Sequence, residues 1–299
     1  MFPALLTAFF FSFSGVCASR STRLIGPLKA NFFRLLLAFC CLAGYAYLWG
    51  QGHRGPGLFY FAWSGAIGVG LGDIATFLAI QRIGPRLSTM LVQCLTAPIG
   101  AALEWAWLGT TLTPLQLLGS FIILSGSTLA LLPDKKVSIA PRLLYSGILF
   151  GALGATGQAL GAVITRKANA VNLLQQITIN GTTAAYQRML GALLAAVIIY
   201  GAVMLIGRRR ARRPALRPDY RRAAPWIALN ALSGLVLGVS CYQWALQRAP
   251  TGIVLATVAT TPLIIMPLAY WLDNDRPNRR AILGAVIAVV GVLVLKFSS

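Results

Sequence analysis

The chain has 299 residues, of which 57% are hydrophobic and 11% are charged, and its mean hydropathy is +0.73. Soluble domains carry about 25% charged residues, so this composition excludes a water-soluble fold. The net charge of +20 does not indicate nucleic-acid binding, because the basic residues fall in short loops between apolar segments. For the longest basic run, at 208–222, anionic lipid headgroups are the simpler partner.

Ten apolar segments follow one another along the chain, each about long enough to cross a bilayer core of ~30 Å as a helix. They lie at approximately 3–19, 30–49, 58–81, 86–108, 114–132, 143–165, 183–206, 226–247, 251–272 and 281–297. No small-residue cleavage site follows the first, so we interpret it as a span and not as a removable signal. The five cysteines lie within spans without paired spacing, so we expect no disulfide, metal site or cofactor. The sequence predicts an all-α integral membrane protein with ten transmembrane helices.

The basic residues are distributed unevenly between the two ends of these spans. The loops that join spans 1–2, 3–4, 5–6, 7–8 and 9–10, here called the odd side, hold 19 of the 26 Lys and Arg residues. The remaining loops and both termini, the even side, hold five. The positive-inside rule therefore places the odd side in the cytoplasm and both termini outside.

The second half of the sequence repeats the first. At a shift of 165 residues the fifth and tenth spans match at Leu118 with Leu283, Gly119 with Gly284, Ile122 with Ile287 and Gly126 with Gly291. The third and eighth spans match at Gly72 with Gly238, Ala79 with Ala245, Gln81 with Gln247 and Arg82 with Arg248. We predict two five-helix repeats, 1–136 and 137–299, that form one transport domain. Because five is odd, the copies insert in opposite orientations, which is typical of secondary transporters with a site near the midplane.

The same segments resemble a known family. "NFFRLLLA", "GDIATFLAIQRIGPRLSTMLVQCLTAPIGAALEWAWLG" and "LTPLQLLGSFIILSGSTLALL" are similar to the EamA-type repeat of the drug/metabolite transporter superfamily, as is the second copy. The resemblance implies ten helices, membrane transport of a small metabolite or drug, export, a central cavity between the copies and cytoplasmic termini. That orientation is opposite to the charge count. The family's frequent Gly-Glu-Arg is replaced by "LGTTLT" in the first copy, while Asp275 and Arg276 offer a substitute in the second.

Proline interrupts the two copies at corresponding positions. Pro98 lies near the middle of the fourth span and Pro262 near the middle of the ninth. Each lacks an N–H and leaves a carbonyl one turn earlier unbonded, which lipid tolerates only if another group bonds it or it lines a wet cavity. The alternative is a simple kink bonded by neighbouring threonines. On the cavity interpretation, the site includes Pro98, Gln93, Pro262 and Thr261.

The eighth span carries polar residues at helical spacing. They are Asn230, Ser233, Ser240, Gln243 and Gln247. In hydrocarbon such a face must turn inward, either toward a substrate cavity or into a hydrogen-bonded seam between helices. Trp244 and Tyr242 border the face and are candidates to stack on a substrate ring.

Four ionisable residues lie inside the spans. Asp73 is about 13 Å from the odd side, and Arg34 enters the second span from that side within reach of it. Glu104 and Arg188 approach from the even side and are expected to pair in the same way; Arg188 also occupies the repeat position of Arg34. Asp73 either contacts a cation, proton or substrate amine, or forms a structural bridge. Pairing with Arg34 would weaken the case for proton coupling; Asp73, Glu104 and Arg188 are the candidate coupling residues.

These features predict a secondary active transporter of the cell (inner) membrane, which exports a small organic solute of the amino-acid, metabolite or drug class by alternating access. A passive channel and a non-transporting sensor are the alternatives. A membrane-embedded enzyme is disfavoured, because the single histidine, His53, lies in a loop and the two membrane carboxylates approach from opposite sides.

Overall fold

The computed structural model describes residues 1–131, 140–208, 219–266 and 279–297, and all regular structure in these segments is helical. The helices are α1 (Phe2–Ile25), α2 (Pro27–Leu48), α3 (Leu58–Gly84), α4 (Leu87–Leu108), α5 (Pro114–Leu131), α6 (Pro141–Leu174), α7 (Gly181–Arg208), α8 (Tyr220–Arg248), α9 (Thr251–Met266) and α10 (Arg279–Phe297). In these segments nine helices are long and apolar enough to cross a membrane, and the described part of α9 is shorter. The all-α membrane fold is confirmed.

A single glycine makes the corner between α3 and α4. Gly84 has φ 79° and ψ 164°, a backbone conformation that essentially only glycine adopts. The proline that follows it disfavours helical geometry at the preceding residue, so the sequence Gly-Pro ends one span and begins the next. The two spans therefore meet directly, with no intervening loop.

The helices α5 and α10 form an antiparallel pair whose backbones touch through glycines. A Cβ placed on Gly126 would lie 2.6 Å from the carbonyl oxygen of Gly284, and one placed on Gly291 would lie 2.9 Å from that of Gly119. The repeat shift of 165 residues exchanges these two contacts. An interface that maps onto itself in this way has two-fold pseudo-symmetry, and its antiparallel helices show the inverted orientation of the two copies.

Helix α6 of the second copy packs closely along α3 of the first. A Cβ on Gly157 would lie 3.0 Å from the Cα of Gly72, and one on Gly161 would lie 2.9 Å from the Cα of Gly68. Small residues at such crossings let helix backbones approach in a membrane, where van der Waals packing drives association. This contact joins the two copies beside the centre of the molecule.

Three predictions fall outside the described residues. The boundary between the copies, placed after residue 136, lies in 132–139. Most of the basic run at 208–222, proposed to meet anionic lipid, lies in 209–218. Asp275 and Arg276, the substitute for the family's charged pair, lie in 267–278.

Candidate functional site

A cavity of about 290 Å³ lies between the two copies near the middle of the helices. Its walls come from α1, α2, α3 and α4 of the first copy and from α6, α7, α8 and α9 of the second. The volume is close to the lower end of small-molecule sites. Five of the residues predicted for the site line this cavity, namely Arg34, Asp73, Gln93, Arg188 and Tyr242.

The lining follows the internal repeat. Arg34 and Arg188 occupy equivalent positions in the two copies, and both face the cavity. The alignment that pairs Gly72 with Gly238 also pairs three further sets of lining residues, Gly68 with Gly234, Val69 with Leu235 and Asp73 with Val239. The cavity therefore lies on the pseudo-two-fold axis, and Asp73 is a carboxylate in one copy where the other copy has valine.

The helices α3 and α8, which carry Asp73 and Val239, each contain a stretch of π-helix. It spans Ala66–Leu71 in α3 and Ala231–Gly238 in α8, at matching places in the two copies. Such stretches are rare and occur frequently at functional sites. In α3 the π-helix ends two residues before Asp73, and in α8 it ends one residue before Val239. The local widening of the helix therefore sets the direction in which these two side chains face the cavity.

Asp73 is held by the arginine expected from depth. The Nη2 of Arg34 lies 3.3 Å from Oδ2 of Asp73, and the Nε of Arg34 donates to Oδ1 of Asn31 at 2.8 Å. The Asp73 side chain remains 24% exposed within the cavity. The ion pair thus links α2 to α3 while one face of the carboxylate stays accessible to a solute. No group of three or more His, Cys, Asp or Glu in the described segments is placed to hold a metal ion.

The expected pair of Glu104 with Arg188 is wrong, because Glu104 pairs with Arg166. Oε1 of Glu104 lies 2.5 Å from Nε of Arg166, and Oε2 accepts the backbone N–H of Thr251 at 2.5 Å. The predicted sixth span ended at residue 165, which put Arg166 in a loop, whereas α6 continues to Leu174. Arg166 therefore enters from the even side at the depth of Glu104, and Arg188, seven residues into α7, is deeper.

Arg166 is a residue that the sequence reasoning missed. Its Nη1 also donates to the carbonyls of Leu246 at 3.0 Å and Ala249 at 2.8 Å, which close the C-terminus of α8. With Glu104 and Thr251, it joins α4 to α6 and to the α8–α9 turn. This cluster, Glu104–Arg166–Thr251, is called the even-side clasp below.

The model of the EamA-like transporter family matches residues 1–132 and 145–297. The chain belongs to the EamA-like transporter family. It is therefore a multi-pass membrane protein of the drug/metabolite transporter superfamily, whose members transport small molecules.

One protein of known crystal structure is similar to this EamA-like chain over 99% of its length and over 96% of that protein's own length, with a TM-score of 0.76. The sequence identity is 16%, so the likeness establishes the fold alone. A comparison with curated proteins gave no match.

The two prolines of the EamA-like chain occupy different environments. Pro98 is exposed and is not among the cavity-lining residues, although Gln93 on the same helix is. Pro262 is buried just after a break in α9 at residues 259–260. There the Oγ1 of Thr261 donates to the carbonyl of Val258 at 2.6 Å, so a threonine bonds the carbonyl that proline leaves free. Val258 also lines the cavity, so the kink that the threonine bonds is part of the cavity wall.

The polar residues of α8 lie beside the cavity lining and bond mainly to the protein. Asn230 accepts the hydroxyl of Ser14 at 2.6 Å, Gln247 donates to the carbonyl of Ile179 at 2.8 Å, and Ser240 donates to the carbonyl of Val236 at 2.5 Å. Gln243 is fully buried, and Trp244 lies under the guanidinium of Arg248 at 5.0 Å. The α8 residues that do line the cavity are Gly234, Leu235, Val239 and Tyr242.

Proposed function

We propose that this EamA-like protein is a secondary active transporter that exports a small organic solute, of the amino-acid, metabolite or drug class, by alternating access. The observation that carries the proposal is the cavity, which lies on the pseudo-two-fold axis and is lined by equivalent residues of both copies, Arg34 and Arg188. In inverted-repeat transporters, rocking of one copy against the other exposes such a midplane site to each side in turn. A site with groups from both copies is suited to that motion.

Contacts between the copies on the even side support this mechanism. The amide of Gln187 donates to the carbonyls of Gly52 at 2.9 Å and Arg54 at 3.0 Å, and the N–H of Gly57 donates to Asn172 at 2.7 Å. These bonds tie the α2–α3 loop of the first copy to α6 and α7 of the second. Together with the even-side clasp they join the two copies on the even side, and separation of the copies there requires that they break.

We assign the coupling role to Asp73. The pairing with Arg34 counts against Asp73 as a simple proton carrier. Asp73 is nevertheless a carboxylate of the cavity itself, and a proton or cation that displaced Arg34 from it would act directly on the α2–α3 contact. Glu104, with one oxygen in an ion pair and the other in a hydrogen bond, serves in the even-side clasp, and these contacts change when that side opens. Arg188 faces the solute from the opposite wall.

The test is flux into proteoliposomes of a panel of amino acids, metabolites and drugs, with and without a pH gradient. The variants are Asp73→Asn and, as a matched control at an exposed carboxylate, Asp219→Asn. Saturable flux that the gradient drives, lost in Asp73→Asn and kept in the control, supports the proposal. Saturable flux that Asp73→Asn retains makes Asp73 a structural bridge. Flux that does not saturate indicates a channel, and binding without flux indicates a sensor.

The proposed location is the cell (inner) membrane, with anionic headgroups near 208–222. Transport is proposed in preference to catalysis, because His53 bonds to the hydroxyls of Tyr47 and Tyr186 at 2.7 and 3.1 Å on the even side. The two membrane carboxylates have separate arginine partners. The charge count favours outside termini, and the habit of the family favours cytoplasmic termini.

A further inference from the structure

The cavity carries one more positive charge than its own residues neutralise. Arg34 and Asp73 form an ion pair across its odd-side wall. Arg188, on the other wall, is 5% exposed, and no ion pair among the described residues joins it to a carboxylate. Its Nε has no hydrogen-bond partner within that part of the chain, and its Nη1 makes one long bond of 3.4 Å to the hydroxyl of Thr165. The guanidinium also interacts with the Tyr242 hydroxyl and, beyond ion-pair distance, with the Asp73 carboxylate that Arg34 already pairs.

A buried guanidinium in this state is ready for an anion. An unpaired charge inside a membrane is expensive, so intramembrane arginines normally face a partner or a water-filled cavity. Arginine presents N–H groups in a planar fork that matches the two oxygens of a carboxylate. A single carboxylate brings the charge of the cavity to zero, whereas a phosphate monoester carries about −1.5 to −2 at neutral pH and would overshoot it.

The apolar part of the cavity lining indicates what the uncharged part of the ligand is. Phe11 and Tyr242 lie side by side with ring centroids 6.4 Å apart, and Leu235, Val239 and Leu255 extend the apolar surface. The guanidinium of Arg188 lies 5.5 Å from the Tyr242 ring centroid, so the charged and apolar parts of the wall are adjacent. A ligand that fits both parts has one carboxylate attached to a compact apolar body.

We propose that Arg188 binds the carboxylate of a small organic acid whose apolar body packs against Phe11, Tyr242 and Leu255. The inference deepens the proposed function, on which it rests for the movement of that acid across the membrane. Binding itself is measured separately, so the two proposals can fail independently.

The experiment is calorimetric titration of the purified full-length protein with a matched set of probes. These are 3-phenylpropionate, hexanoate, 3-phenylpropionamide, 2-phenylethylamine and phenylalanine. We expect both simple acids to bind, and the amide and the amine to bind at least tenfold more weakly than 3-phenylpropionate. If phenylalanine binds more tightly than 3-phenylpropionate, the natural ligand is an amino acid. If phenylalanine binds more weakly, the natural ligand is a simple organic acid. Both results support the proposal.

Substitution of Arg188 locates the binding. Arg188→Gln should weaken acid binding about 10- to 100-fold, the loss expected for a hydrogen bond to a charged group. Arg188→Lys, which keeps the charge and loses the fork, should fall between wild type and the glutamine variant. Arg142→Gln, the same change at an exposed site outside the cavity, is the control. If Arg188→Gln does not fold, as judged by gel filtration, weaker binding by Arg188→Lys than by wild type carries the test.

Three results overturn the inference: neither acid binds, the amide binds as tightly as the acid, or all folded Arg188 variants bind as wild type does. Flux of the same probes into proteoliposomes separates it from the proposed function. Acids that bind and do not cross refute transport and leave the Arg188 site standing. Saturable flux of the probes without acid-selective binding supports transport and refutes the Arg188 site.

Discussion

Replacement of Glu104 by glutamine tests the even-side clasp. The carboxylate is 2% exposed; one oxygen forms an ion pair with Nε of Arg166 and the other accepts a hydrogen bond from the N–H of Thr251. Glutamine keeps the size of the side chain and one acceptor. It also turns either an uncharged oxygen or an N–H group toward Arg166, so the ion pair is lost while the arginine stays in place.

The expected cost follows from burial and from what remains for Arg166. Removal of one partner of a buried ion pair costs about 3–5 kcal/mol. Arg166 is 21% exposed and keeps its bonds to the carbonyls of Leu246 and Ala249. We therefore expect the lower end, about 3 kcal/mol. The same loss of a carboxylate in Asp219→Asn should cost less than about 1 kcal/mol, because Asp219 and Arg222 form an exposed pair.

The assay is the thermal midpoint of the purified variants in detergent, followed by the loss of the gel-filtration peak. Glu104→Gln should melt several degrees below Asp219→Asn. The double variant Glu104→Gln with Arg166→Gln should lose less than the sum of the two single variants, since both remove the same contact. A midpoint for Glu104→Gln equal to that of wild type, or strictly additive losses, would refute the ion pair as a stabilising link.

Two further predictions concern packing and orientation. Gly126→Ala should destabilise the protein by about 1–3 kcal/mol, because the new Cβ would lie 2.6 Å from the carbonyl oxygen of Gly284. Gly44→Ala, which has open space around it, should be neutral or slightly stabilising. The thermal midpoints of the two variants are compared. In a cysteine-free background, the charge count predicts that a membrane-impermeant maleimide labels Thr111→Cys on intact cells and not Ala140→Cys; labelling of Ala140→Cys alone would establish the opposite orientation.

Hydropathy and charge were sufficient to predict the helices and one ion pair. In a membrane, the length of an apolar segment fixes where its helix lies, so a residue's depth can be read from its distance to the segment end. Arg34 and Asp73 come from the same side at compatible depths, and the structure brings them to 3.3 Å. The contact of α5 with α10 was not predicted, although the glycines that form it are those that the repeat alignment made equivalent.

The wrong partner predicted for Glu104 shows where the prediction of membrane depth from apolar segment length fails. The polar sequence after residue 165 ended the predicted sixth span, because a run that contains Arg166 and Lys167 is not apolar. The helix nevertheless continues to Leu174, since its bonds to α8 and to Glu104 satisfy the arginine inside the protein. Hydropathy measures preference for lipid, and it does not register a charge whose partner comes from another helix.

The polar face of α8 shows a second limit, the rotation of a helix about its axis. The predicted face assumed 3.6 residues per turn from Asn230 to Gln247. Residues 231–238 form π-helix, in which each N–H bonds the carbonyl five residues earlier, so the positions after it are rotated relative to those before. Leu235, Val239 and Tyr242 consequently face the cavity.

The two copies share their helical framework and differ in the charged residues that line the cavity. Both carry a π-helical stretch and an arginine in the cavity wall, and these features lie at matching positions. A pseudo-symmetric framework of this kind can exchange the conformations of its halves, which is what opening first to one side and then to the other requires. The carboxylate breaks the symmetry, because Asp73 neutralises Arg34 while Val239 leaves Arg188 without an equivalent partner. Val239→Asp would supply that partner, and it should abolish acid binding while preserving the fold if Arg188 is the ligand of the carboxylate.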